Sequence, residues 1–115
     1  MGTRQGERQM GDWVREGDTL RVRLEGELDH CAAGKLREQI EAQLADREIT
    51  RLHLDFADVS FMDSSGIGMI IGRYKTMAAR GGRVSAGGLH PPVDRLFRMG
   101  GLHRIITVEE ERCGA

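Results

Sequence analysis

Residues 51–79 read RLHLDFADVSFMDSSGIGMIIGRYKTMAA. In the opening part Leu52, Leu54 and Phe56 alternate with His53 and Asp55, the two-residue period of a strand with one buried face. In the closing part Ile67, Ile70, Ile71, Tyr74, Met77 and Ala78 recur at helical spacing. They give one apolar side to a helix from about Ser65 to Ala79. The intervening ADVSFMD, residues 57–63, reads as a loop. A strand that alternates so cleanly is not buried on both faces. The predicted architecture is α/β: a sheet with one wet face and helices packed mainly on the other. A doubly wound nucleotide-binding fold fits this pattern less well.

Working outward, TLRVRLEG at 19–26 alternates in the same way, through Leu20, Val22 and Leu24. Gly17-Asp18 marks a turn before it, and Trp13 and Val14 are placed to form its hairpin partner. Leu36, Ile40 and Leu44 recur every four residues, with Lys35, Arg37, Glu38 and Glu41 on other faces. That predicts an amphipathic helix over about 31–46, with Asp29 as its cap. Downstream, Arg80-Gly81-Gly82 ends the second helix and RVSAG at 83–87 is a weak strand. Pro91-Pro92 opens a short helix carrying Val93, Leu96 and Phe97, since proline is tolerated in a first turn. Gly100-Gly101 stops it, and RIITV at 104–108 reads as the last strand. Residues 1–12 read as a short edge strand or a weakly ordered tail, and 109–115 as a frayed helix. The whole of 1–115 is expected to form one domain.

Of the 115 residues, 39% are hydrophobic, 30% charged and only 4% aromatic, which predicts a folded domain with an aliphatic core. The 17 basic and 18 acidic residues are interspersed, so the concentrated basic face that nucleic acid requires is missing. Balanced charge and no long exposed apolar strand favour a monomer. Cys31 and Cys113 make no disulfide framework and lack metal-ligand spacing, so both read as structural thiols. No apolar run reaches membrane-spanning length, and the first residues lack the apolar segment of a secretion signal. A cytoplasmic chain with no metal, no cofactor and no membrane contact is expected.

The chemistry concentrates in Asp63-Ser64-Ser65-Gly66 and the glycines that follow. A serine there is a natural helix cap, its hydroxyl accepting from an orphan backbone N–H. Capping does not explain Gly66, Gly68 and Gly72, each costing about 1 kcal/mol relative to alanine inside a helix. On a helical projection Ser65, Gly68, Met69, Gly72 and Thr76 lie opposite the core side. A smooth, uncharged stripe with one soft methionine suits close approach by another protein. Tight packing within the chain's own fold is the alternative, most easily met by Gly66 or Gly68. An enzyme is the less favoured reading. The glycine spacing loosely resembles a dinucleotide fingerprint, but Ala86-Gly87-Gly88 stands where an acidic residue would be needed. No Gly-Lys-Ser/Thr occurs, Ser64 lacks a nucleophile-elbow pattern, and His30, His53, His90 and His103 read as scattered surface or turn residues. A serine at a helix start beside a docking stripe suits control by phosphorylation. The phosphate brings about −1.5 to −2 charges, which the helix dipole tolerates and a partner packed over it does not.

SFMDSSGIGMIIGRYK at 60–75 resembles the signature of the bacterial anti-sigma factor antagonists, the STAS-domain family, most closely its sporulation antagonists. GELDH at 26–30, LHLDF at 52–56 and VDRLFRMGGLHRIITV at 93–108 extend the resemblance over about 19–108. It implies a STAS-type mixed β-sheet with helices packed mainly on one face. It also implies a regulatory binding protein rather than an enzyme. In its unphosphorylated form such a protein binds an anti-sigma factor that is also a serine kinase, and so frees the sigma factor. Phosphorylation on the first serine after Asp, here Ser64, ends binding, and a serine phosphatase restores it. The partner-binding set carried over or inferred is Asp29, Asp63, Ser65, Gly66, Gly68, Met69, Gly72 and Arg73. A sporulation sigma factor is the implied target, with another partner-switching pathway such as general stress as the alternative and a nucleotide-binding enzyme a distant third.

Overall fold

A computed structural model describes residues 11–109. The polar residues 1–10, the tail 110–115 expected to fray, and Cys113 lie outside them. Strand β1 (Gly11–Glu16) turns through Gly17-Asp18 into β2 (Thr19–Leu28), pairing antiparallel with Trp13 opposite Val22. There follow α1 (His30–Leu44), β3 (Arg51–Met62), α2 (Ser64–Ala79), β4 (Arg83–Gly87), α3 (Pro91–Met99) and β5 (Thr107–Glu109). Strands β2 to β5 are parallel, and the sheet order β1-β2-β3-β4-β5 is the chain order. Because every crossover advances in the same direction, a common right hand places all three helices on one face. Phe97 of α3, Ile70 and Met77 of α2, and Leu36 and Ile40 of α1 accordingly share a single core with Leu20, Val22, Leu52, Leu54 and Phe56 of the sheet. Phe97 meets Phe56 edge to face, ring centres 6.3 Å apart. The other sheet face carries Arg21, Arg23 and Asp55, as the alternation predicts.

The structure corrects several expectations. Residues 57–62 are not a loop; they continue β3 along β2 to the pair Leu28–Met62. Two register shifts, between Arg23 and Glu25 and between Gly26 and Glu27, each give β3 an extra residue. The buried positions therefore step from Phe56 to Val59 to Met62, a period that no simple alternation reveals. The last strand is only Thr107–Glu109; Leu102–Arg104 is a 3-10 turn, because Leu102 and Ile106 are both drawn into the core. Cys31 is exposed in the first turn of α1 and is not a core thiol.

His53 is likewise no surface residue. It is buried on the polar face of the sheet with Nδ1 2.8 Å from Ser85 Oγ on β4. After β4 the chain turns at Gly88, where φ is +71° and a Cβ would lie 2.8 Å from the Ala57 nitrogen. Glycine is required there on both counts. Helices α1 and α2 are tied along their length. Arg80 donates from Nη2 to Leu44 O at 2.8 Å and from Nη1 to Ile49 O at 3.1 Å, closing the far end of the pair. No helix among the described residues is long and apolar enough to cross a membrane.

Candidate functional site

Because β2 and β3 are parallel neighbours, both end at the same edge of the sheet, and the helices that follow them begin side by side. Asp29 caps α1: its Oδ1 accepts from the Ala32 N–H at 3.0 Å. Asp63 caps α2 in the same way, Oδ1 accepting from the Ser65 N–H at 2.8 Å. The Asp63 N–H donates to Leu28 O at 3.4 Å, stitching the two starts together. A serine cap is thus ruled out, because a carboxylate takes that duty. Ser64 becomes the first helical residue; it is exposed, and its hydroxyl makes no hydrogen bond among the described residues. Ser65, half-buried, turns toward α1, where its Oγ is 3.4 Å from His30 Nδ1.

The three glycines separate into two kinds. A Cβ on Gly66 would lie 2.5 Å from Met62 Cγ and 2.9 Å from its Sδ, so Gly66 lets the start of α2 seat on the end of β3. Gly68 and Gly72 would meet nothing within 4 Å. Both positions face open space.

Two members of the expected partner-binding set are elsewhere. Met69 is buried at 4% exposure and Arg73 at 7%, because α2 packs against α1 as well as the sheet and its dry arc is wider than one neighbour would make it. Ala78, placed on the core side by periodicity, is exposed. Arg73 Nε lies 2.7 Å from Glu41 Oε2 on α1, and Thr76 Oγ1 donates to the same carboxylate oxygen at 3.1 Å. Burial pulls the Arg73 pKa below the ordinary guanidinium value; Arg37 adds to this and Glu41 opposes it. Arginine titrates so far above neutrality that the group stays charged.

Between the first halves of α1 and α2 runs a groove of about 380 Å³, lined by His30, Ala33, Gly34, Arg37, Ser65, Gly68 and Met69. A second feature went unanticipated. Phe61 and Met99 are 48% and 76% exposed, and with Val93 and Leu96 they line an apolar hollow of about 330 Å³ between β3 and α3. The available signal was Phe61 itself, an aromatic residue three positions before Ser64, in a segment read as loop. Among the described residues no cluster of His, Cys, Asp or Glu could hold a metal ion.

The model of the STAS domain matches residues 12–113. The chain is 38% identical over 96 residues to the anti-sigma F factor antagonist of Paenibacillus polymyxa, covering 84% of this chain and 82% of that protein. It is 33% identical over 95 residues to the anti-sigma-B factor antagonist of Listeria monocytogenes, covering 83% and 82%. The solved structure of the Bacillus cell fate determinant SpoIIAA in its phosphorylated form superposes with a TM-score of 0.72 at 29% identity, over 88% of this chain and 90% of that one. One-sided sheet, paired helix starts and sequence agree: the chain belongs to the STAS-domain family, among its anti-sigma factor antagonists, which are regulatory binding proteins and not enzymes.

Proposed function

We propose that the unphosphorylated chain binds an anti-sigma factor that is also a serine kinase, freeing the sigma factor, and that phosphorylation of Ser64 ends the complex until a serine phosphatase removes it. One observation carries this reading: with Asp63 capping the helix, Ser64 presents an exposed hydroxyl that makes no hydrogen bond among the described residues. A phosphate there sits at a helix N-terminus, which favours negative charge, so the fold is kept. A partner packed over Ser64 would instead bury a dianion beside Asp63, at a cost of several kcal/mol unless it is paired. The docking face is drawn around Asp29, Asp63, Ser64, Ser65, Gly68 and Gly72, with Gly66, Met69 and Arg73 supporting it from beneath. The chain acts in the cytoplasm as a monomer, without touching nucleic acid.

A sporulation sigma factor is the favoured target, supported by the greater likeness to the anti-sigma F antagonist than to the anti-sigma-B antagonist. The second of those likenesses supports a general stress pathway as the other reading. Intact-mass spectrometry after incubation with the kinase and ATP tests the switch. One phosphate is expected on the wild type and almost none on Ser64→Ala. Ser64→Ala should bind the kinase like the unmodified wild type, and Ser64→Asp at least about tenfold more weakly. Equal binding by the two variants, or no phosphate with a demonstrably active kinase, overturns the proposal.

A further inference from the structure

We infer that His30 selects the phosphate acceptor, holding Ser65 toward α1 so that only Ser64 is offered to the kinase. The inference rests on the proposed switch and adds a residue to it. Two adjacent serines present identical hydroxyls, so chemistry alone does not tell them apart. Successive residues of a helix point about 100° apart, so only one of the pair can face a partner lying over the helix start. Ser64 is exposed, and its hydroxyl makes no hydrogen bond among the described residues. Ser65 is half-buried in the groove between the helices, with Oγ 3.4 Å from His30 Nδ1.

In the transfer, serine Oγ bonds to the γ-phosphorus of ATP as the bond from that phosphorus to the β–γ bridging oxygen breaks. ADP leaves, and the hydroxyl proton passes to a base of the kinase. In-line attack needs the hydroxyl free to swing onto that axis. The hydroxyl of Ser65 must first leave His30 and the groove, whereas that of Ser64 has no partner to leave among the described residues. His30 does not touch the reacting atoms at Ser64; it is a positioning residue. It also stands outside the capping of either helix, which Asp29 and Asp63 perform, so removing its ring leaves both caps in place.

The test maps phosphate by tandem mass spectrometry after incubation with the kinase and ATP, with circular dichroism to verify folding. Wild type should carry phosphate on Ser64 alone, and Ser64→Ala almost none. Ser64→Ala with His30→Ala should carry about three- to tenfold more on Ser65 than Ser64→Ala does, the factor for releasing one hydrogen bond of ordinary strength. His30→Asn places an amide near the Nδ1 position and should restore the Ser64→Ala level, a rescue that general loosening of the helix start would not give. Should the folded His30→Ala double variant stay at the Ser64→Ala level while wild type is modified on Ser64, His30 is not the selector and the switch still stands. A wild type that takes no phosphate overturns both.

Discussion

Helix α1 has 15 residues and α2 has 16, and each begins at an aspartate whose carboxylate accepts a backbone N–H from its own first turn. Their exposed positions differ. Those of α1 include Lys35, Arg37 and Glu38, whereas α2 exposes Ser64, Gly68, Lys75, Ala78 and Ala79. The first helix is finished for water. The second is buried against the sheet and against α1, and what remains outside is small and carries one charge. A surface helix gains nothing in stability from glycine, and a Cβ at Gly68 or Gly72 would meet nothing within 4 Å, so packing does not account for the bareness of α2 there.

The largest effect that could break this contrast lies at the glycines. Gly66→Ala should destabilise the chain by about 1–3 kcal/mol in urea unfolding, because the added methyl overlaps Met62. Gly68→Ala and Gly72→Ala should each stabilise it by about 0.5–1 kcal/mol, having open space to enter. If all three shift stability in the same direction, the division into packing and docking glycines fails. A smaller effect sharpens the similarity of the two starts. Asp29→Ala and Asp63→Ala should each cost about 1 kcal/mol, and a near-zero loss at Asp63 would return the capping role to a serine.

The smallest effect concerns the far end of α1, where Arg15 Nη1 lies 2.7 Å from Asp46 Oδ2. The hydrogen bond from Arg15, helped by the Glu48 N–H, holds the Asp46 carboxyl below the usual carboxylate range. A depressed carboxylate contributes stability above its unfolded pKa and loses it as pH falls through the folded value. Asp46→Asn should therefore lower the urea midpoint slightly near neutrality, and the difference should shrink as pH falls through the folded value. A difference that persists in acid would show that the carboxylate's charge is not its source.

How far sequence carried the structure follows from the same contrast. Leu20, Val22 and Leu24, then Leu52, Leu54 and Phe56, announced a sheet wet on one side, because a single buried face imposes a single period. Leu36, Ile40 and Leu44 placed α1 for the same reason. The period was lost where two constraints overlapped. In β3 the register shifts moved the buried face to Val59 and Met62, and in α2 a second neighbour claimed Met69 and Arg73. At the site, Asp63-Ser64-Ser65 was legible as a helix start. The assignment of capping to Asp63, and of Ser65 to a partner on α1, depends on which helix begins alongside it. That follows from β2 and β3 being parallel neighbours, which brings His30 of α1 beside Ser65 of α2 from 35 residues away in the chain, and local sequence does not encode it.

The identity of strand order and chain order bears on how the molecule comes into being. The hairpin of β1 and β2 can form from its own residues, and each later strand then adds to the growing edge. No strand has to be threaded between two that are already paired. A chain emerging from the ribosome can lay down its sheet in the sequence of its translation, and the contacts it must search for stay close to what has just been made. The helix pair that frames Ser64 is complete once α2 has emerged, before β4, α3 and β5 arrive.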